Sequence, residues 1–209
     1  MIVMVAETPL KAFLRWSRLV LLSNGLALLG YCAYVVVDAW WFQGSEARRL
    51  QSLIEGARAR RADLRYVKVP GPPSQPEAMM MHGLVGRIDI ARLGVSVMVL
   101  EGFDGKTLRR GAGHIPGTAL PGQAGNVGIS AHRDTFFRPL RNIRAGDVIS
   151  VTTLDGQYQY KVETTKVVSS KDVSVLAATG SEVLTLVTCY PFYYVGAAPE
   201  RFVVRAVRF

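Results

Sequence analysis

Cysteine occurs twice and histidine three times in this chain of 209 residues. The scarcity excludes a structural zinc site, because Cys189, His82, His114 and His132 show no spacing that gathers four ligands. No basic cluster interleaved with aromatic residues occurs, so nucleic acid is not an expected partner. No internal repeat is visible, and no cofactor or metal is expected. Charge and proline are both missing from residues 19 to 37, LVLLSNGLALLGYCAYVVV, and that local absence is the first positive signal.

Those 19 residues span roughly 28 Å as a helix at about 1.5 Å per residue, close to the apolar thickness of a bilayer. Trp40 and Trp41 follow at once, as aromatic side chains do at a membrane interface. Lys11, Arg15 and Arg18 precede the run and Asp38 follows it, which places the N-terminus in the cytoplasm and everything after Trp41 outside. A cleaved signal peptide is the competing reading. The length of the run and the lack of a small-x-small site before Trp40 favour an uncleaved signal-anchor. Cys32 then lies within the span, so a disulfide to Cys189 is excluded by topology. The net charge of +9 is shared, +4 over residues 1 to 82 and +5 over residues 83 to 209. It favours attraction to anionic headgroups or an acidic envelope polymer.

Four segments follow from composition. Residues 1–18 form a cytoplasmic N-terminus and residues 19–41 the signal-anchor. Residues 42–83 hold a juxtamembrane helix and a proline-rich linker; residues 84–209 are the catalytic candidate. In SEARRLQSLIEGARARRADLR (45–65), Ser45 is a candidate helix cap, and the thin stripe Ala47, Leu50, Ile54 and Ala57 reads as a solvated stalk. YVKVPGPPSQPEAMMMHG (66–83) has four prolines and no periodicity, a semi-stiff linker in which His82 reads as a bland residue. From Leu84 the chain breaks into short strands at 86–94, 95–102, 126–132, 147–154, 157–168, 182–189 and 201–209. Asp155-Gly156 is a hairpin turn between two of them. Short helices fit only around Lys106 to Arg110 and Arg138 to Ile143. This spacing predicts about eight strands in a closed or nearly closed β-barrel.

The remaining question is Cys189, at the end of the strand EVLTLVTC, with Pro191 two places on to stop the ladder. A buried core cysteine and a nucleophile both fit, since free cysteine is among the most buried residue types. Two neighbours bear on the choice. GISAHRD ends another apolar run on His132, with Arg133 and Asp134 after it, and Arg201 opens the last strand. A thiolate is the nucleophilic form of cysteine, and a nearby imidazolium or guanidinium favours it. A histidine also protonates a leaving amine, and an arginine holds an oxyanion or a carbonyl. Asp134 is a candidate to orient His132, with an arginine or turn contact as the alternative.

TLVTC, with His132 upstream and Arg201 downstream, resembles the sortase family over essentially all of residues 84 to 209. GHIPGTALPGQAGNVGISAHRDTFFRPLRNIRAGD and TLVTCYPFYYVGAAPERFVVRA are similar in particular to class D-like sortases. The resemblance implies a mostly β protein, an eight-stranded sortase-type barrel with short helices preceded by one transmembrane helix. It implies Cys189 as nucleophile, His132 as acid and base, and Arg201 as the oxyanion or substrate arginine. The implied reaction cleaves an LPXTG-like sorting signal between Thr and Gly through a thioester, then passes the acyl group to an amine on the envelope or another protein. Thr188 is implied to support the site through its hydroxyl or backbone. One departure is that relatives often carry glycine before the histidine, where this chain has Ala131. Phe192, Tyr193 and Tyr194 lie in the loop expected to wall the peptide groove, folding back onto the barrel being the alternative. His114 in GHIPGT is a further groove candidate beside its plainer reading as a loop residue.

Two other classes fit the same residues. One is a membrane-tethered β-barrel binding module with Cys189 merely buried. The other is a cysteine hydrolase, which shares the acyl-enzyme and releases the peptide into water.

Overall fold

A computed structural model describes residues 9–64 and 83–209. The linker apart from Gly83, together with His82, lies outside the described residues. Helix α1 runs without interruption over Pro9–Leu64, and one apolar stretch of it is long enough to cross a membrane. The large side chains of that stretch are exposed all round, for example Leu21 at 73%, Leu29 at 67% and Trp40 at 76%. A helix apolar on every face fits lipid, not water.

The chain divides into two compact units, one ending at Trp41 and one beginning at Phe42. The second is a closed eight-stranded barrel with the end of α1 packed on it. Its strands are β1 (Leu84–Ile90), β2 (Val95–Glu101), β3 (Ala112–His114), β4 (Gly125–Ser130), β5 (Val148–Thr152), β6 (Gln157–Ser169), β7 (Glu182–Tyr190) and β8 (Glu200–Arg208). Around the barrel their order is β1-β2-β3-β4-β7-β8-β6-β5. Two neighbouring pairs are parallel, β2 with β3 and β4 with β7. Inward-facing Ile88, Val97, Val127, Ile129, Ile149, Val151, Leu184, Leu186, Val204 and Ala206 fill the core with Phe137 and Leu140.

The expected barrel is therefore present, with differences in detail. The predicted strand over 86–94 is cut by a 3-10 turn at Ala91–Leu93, closed by Gly94 at φ 63°. β3 was not among the predicted strands, since three residues flanked by glycine offer no alternation to read. A Cβ on Gly113 would sit 2.1 Å from the Gly102 carbonyl oxygen, so only glycine permits this close approach. Helix α2 (Gly105–Arg110) starts at Asp104, whose carboxylate accepts from the amides of Lys106 at 2.7 Å and Thr107 at 3.1 Å. The bonds from Thr107 and Lys106 hold that carboxyl below its ordinary range. The Asp155-Gly156 hairpin forms as expected, Thr153 N donating to Gly156 O at 2.8 Å.

The stalk reading does not hold. Ser45 is no cap; its hydroxyl donates back to the Phe42 carbonyl at 3.0 Å inside a continuous helix. Leu50 is only 2% exposed and clusters with Leu84 and Met98, with Ala47, Ile54, Leu100 and Leu154 packed against them. Gln43 accepts from Met98 N at 2.8 Å and donates to the Arg110 carbonyl at 2.5 Å. The thin stripe is narrow because it covers one outer patch of a barrel, not a whole core. A soluble fragment should accordingly begin near residue 42, not near residue 70. Leu50→Ala is expected to cost about 2–3 kcal/mol and to lower Tm by roughly 4–12 °C. Thermal melting of fragments 42–209 and 83–209 checks this; equal midpoints would contradict the docking of α1.

Candidate active site

Strand register pairs two of the three predicted groups and leaves the third just past the end of a neighbouring strand. β4 and β7 run parallel with Ser130 opposite Val187, and Ala131 N donates to the Val187 carbonyl at 3.3 Å. That pairing ends at Ser130 and Val187; His132 lies two residues past the end of β4, and Cys189 two residues past Val187 on β7. β8 runs antiparallel to β7 and pairs Arg201 directly with Cys189, a relation that puts Cβ atoms about 5 Å apart.

Alternation fixes the face. Leu184 and Leu186 of β7, Val127 and Ile129 of β4, and Val204 and Ala206 of β8 point into the core. Thr188, Ala131 and Phe202 share that parity. Cys189 and Arg201 have the opposite parity and stand on the outer surface of the barrel. The outer face is not uniformly open. Asn126, Gly128, Val183 and Thr185 on it are buried, whereas Ser130, Val187, Cys189, His132 and Arg201 are half-buried. Cover comes from two segments crossing the outside. The Asn126 side-chain amide donates to the carbonyls of Val175 at 3.0 Å and Ala177 at 3.2 Å, and a Cβ on Gly128 would meet Leu176, Thr118 and Ile115 at 3.1–3.3 Å. Burial on this surface thus falls off toward one end, where Ser130, Val187, Cys189 and Arg201 are half-buried.

β7 extends one residue past the predicted end, to Tyr190, before Pro191 stops it. Arg201 donates from Nη1 to the carbonyls of Ala198 at 3.1 Å and Glu200 at 2.9 Å. A guanidinium carries five N–H donors, and both bonds use the same nitrogen. Asp134 is exposed in the turn after His132.

Several predicted contact residues occupy other positions. Thr188, Ala131 and His114 are 1%, 3% and 2% exposed, so their side chains do not line an open groove. Thr188 Oγ1 donates to the Ala131 carbonyl at 2.7 Å, tying the residue before Cys189 to the residue before His132. The Ala131 methyl packs into the core cluster, which is why the chain accepts it in place of glycine. His114 is a brace: Nδ1 lies 2.8 Å from Glu101 Oε2, and Nε2 lies 3.0 Å from the Ala119 carbonyl and 3.1 Å from Thr118 Oγ1. The aromatic run splits. Phe192 folds back onto the barrel, 5.3 Å from Phe202 and 6.0 Å from Tyr190 between ring centres, while Tyr193 is 77% and Tyr194 47% exposed.

Replacing Thr188 by valine keeps the volume but leaves the buried Ala131 carbonyl unpaired, at a cost of about 1–3 kcal/mol. The expected outcome is a lowered melting temperature, together with a loss of turnover larger than the loss of folded protein. Circular dichroism alongside an activity assay separates the two.

Among the described residues no group of three or more histidine, cysteine, aspartate or glutamate side chains could hold a metal ion. A half-buried thiol paired across the sheet with a guanidinium is a group able to serve as a nucleophile. Comparison with known proteins gives the family. The family model described as Sortase domain matches residues 88–209. Sortase D of Bacillus subtilis (strain 168) is 28% identical over 199 residues, covering 91% of this chain and 96% of that protein. Among solved structures, a Clostridium perfringens sortase D5 transpeptidase is 31% identical with a TM-score of 0.55, over 60% of this chain and 79% of that one. Sortase C-1 of Actinomyces oris is 27% identical with a TM-score of 0.58, over 75% and 97%. With the family model covering all but the first residues of the eight-stranded barrel, the chain belongs to the sortase family of transpeptidases.

Proposed function

We propose that this chain is a membrane-anchored cysteine transpeptidase that cleaves an LPXTG-like sorting signal between Thr and Gly and transfers the acyl group to an amine. The observation that supports the reading is the direct pairing of Arg201 with Cys189 on the outer face of β7 and β8, with His132 just past the end of the neighbouring β4 and all three half-buried. The Cys189 thiolate attacks the threonine carbonyl carbon, and the carbonyl electrons move onto oxygen. Arg201 stabilises that oxyanion by charge-assisted hydrogen bonds. His132 gives its proton to the departing glycine amine as the C–N bond breaks, leaving a thioester on Cys189. An incoming amine then attacks the thioester, His132 takes the amine's proton, and a new amide leaves with the thiol restored. Water in place of the amine gives hydrolysis.

The substrate is an exported protein bearing the signal, and the acceptor amine belongs to the cell envelope or another protein. Lys11, Arg15 and Arg18 ahead of the apolar stretch support a cytoplasmic N-terminus with the barrel on the extracytoplasmic side, and support retention of the anchor.

Product analysis with an LPXTG-like peptide, with and without an added amine, tests the reaction. The expected result is a new amide that forms only when the amine is present. Hydrolysed peptide in equal amount under both conditions identifies a hydrolase, and no cleavage at all favours a binding module. Arg201→Lys keeps the charge and loses the planar fork, so kcat should fall about 10²–10³-fold. Unchanged kinetics would remove Arg201 from the oxyanion role.

A further inference from the structure

The loop between β7 and β8, residues 191–199, has no strand or helix of its own, and Tyr193 and Val195 in it are 77% and 94% exposed. It nevertheless begins two residues after Cys189 and ends just before Glu200 and Arg201, so its conformation bears on two of the three site residues. Several of its backbone carbonyls find partners outside it. Three of these, on Pro191, Tyr194 and Gly196, are held by the residue next to His132. Arg133 donates from Nη1 to the Pro191 carbonyl at 3.0 Å, and from Nη2 to the carbonyls of Tyr194 at 2.6 Å and Gly196 at 3.1 Å. Its guanidinium carbon also lies 5.8 Å from the Tyr194 ring centre. Arg141, further along the same segment, donates to the Tyr193 hydroxyl at 2.6 Å and lies 5.6 Å from that ring centre.

The segment bearing both arginines is itself fixed. Phe137 N donates to the His132 carbonyl at 3.0 Å, and Phe137 and Leu140 are fully buried in the core. Beyond them, Arg92 donates to the Asn142 carbonyl at 2.7 Å and pairs with Asp147, which accepts from Arg144 N at 2.8 Å. The Arg92 bond is the largest of the influences that hold the Asp147 carboxyl below its usual range. An anchored segment thus grips an unstructured one through a planar fork of donors, an arrangement that a lysine cannot reproduce.

We propose that Arg133 is a positioning residue, a latch that fastens the β7–β8 loop to the histidine-bearing segment and so holds Cys189, Arg201 and the exposed tyrosines in one arrangement around the bound peptide. The inference rests on the transpeptidase reading for its effect on turnover, but not for its effect on the loop. Without the latch, the loop must be ordered each time a peptide binds, and displacement of reacting groups by about 1 Å can cost on the order of 10²-fold in rate.

The test uses the full-length chain in detergent with Arg133→Ala and Arg133→Lys, read in two ways. Limited chymotrypsin digestion, followed by mass spectrometry at Phe192, Tyr193 and Tyr194, reports loop order directly. Transpeptidation of an LPXTG-like peptide reports kcat and KM. Arg133→Ala should raise cleavage in the loop at least about tenfold and lower kcat/KM about 10- to 100-fold, with the larger share in KM and little change in Tm. Arg133→Lys should lie between it and wild type in both readouts. Loop cleavage unchanged in both variants overturns the latch, as does faster cleavage with kcat/KM unchanged. Full recovery in the lysine variant reduces the effect to charge and overturns the fork. If the wild-type chain turns over no peptide, the transpeptidase reading fails, and the digestion alone decides whether Arg133 orders the loop.

Discussion

Cys189→Ala should give a folded chain that forms no acyl-enzyme and no transfer product, while Cys32→Ala keeps wild-type turnover. Removal of a catalytic nucleophile costs on the order of 10⁶-fold in kcat where it has been measured, so the expected activity is below detection. Folding should survive because Cys189 faces outward, half-buried at the end of β7, while the core face of that strand carries Leu184, Leu186 and Thr188. Cys32 lies in the apolar stretch of α1 and is exposed there. It belongs to the unit ending at Trp41, whereas His132 and Arg201 belong to the unit beginning at Phe42. Circular dichroism, thermal melting and a peptide transfer assay on both variants check the pair. If Cys189→Ala unfolds the barrel and the folded remainder stays active, the thiol is a packing residue and another group performs the attack.

His132→Ala is the second large effect. The change removes the cationic neighbour of the thiolate and the proton donor to the leaving amine together. General acid–base catalysis alone contributes about 10²–10⁴-fold, and loss of the thiolate's partner adds to that. A fall of at least about 10³-fold in kcat/KM is expected, with the melting temperature nearly unchanged because the imidazole stands at the rim. Steady-state kinetics with the same peptide provide the readout. A loss of less than tenfold would show that a different group handles the proton. His132 lies in the segment just past β4, whose last residue pairs with Val187 on the strand that bears Cys189, and the other described histidine, His114, is locked between Glu101 and Ala119.

Much of this was readable before the fold was known. The apolar run, the turn at Asp155-Gly156 and most of the alternating strands depend on local chemistry and formed near where the pattern put them, the strand over 86–94 being cut at Ala91–Leu93. Cys189, His132 and Arg201 stood out because each lies at or near a strand end, and strand termini collect at barrel rims. What failed to show was non-local. The face that α1 presents to the barrel is only a few residues wide, so Ala47, Leu50 and Ile54 looked like a stalk until Leu84 and Met98 supplied the other half of the cluster. β3 has three residues and no alternation. Thr188 and Ala131 were singled out correctly as neighbours of the site but on the wrong side of the sheet, because parity is decided by which residues the core takes. Arg133 sat in plain view in the HRD motif. Its partners are backbone carbonyls about 60 residues away, and carbonyls leave no trace in side-chain identity.

The most direct test of cysteine-centred transfer is the intact mass of the full-length chain after rapid quenching with an LPXTG-like peptide in the absence of an amine. The expected spectrum shows the enzyme heavier by the acyl fragment ending in threonine, with the adduct mapped to Cys189, lost on adding hydroxylamine or an acceptor amine, and missing from Cys189→Ala. Cleavage of the peptide without any adduct on the wild-type chain, or an adduct that persists in Cys189→Ala, would contradict the assignment of Cys189 as the nucleophile.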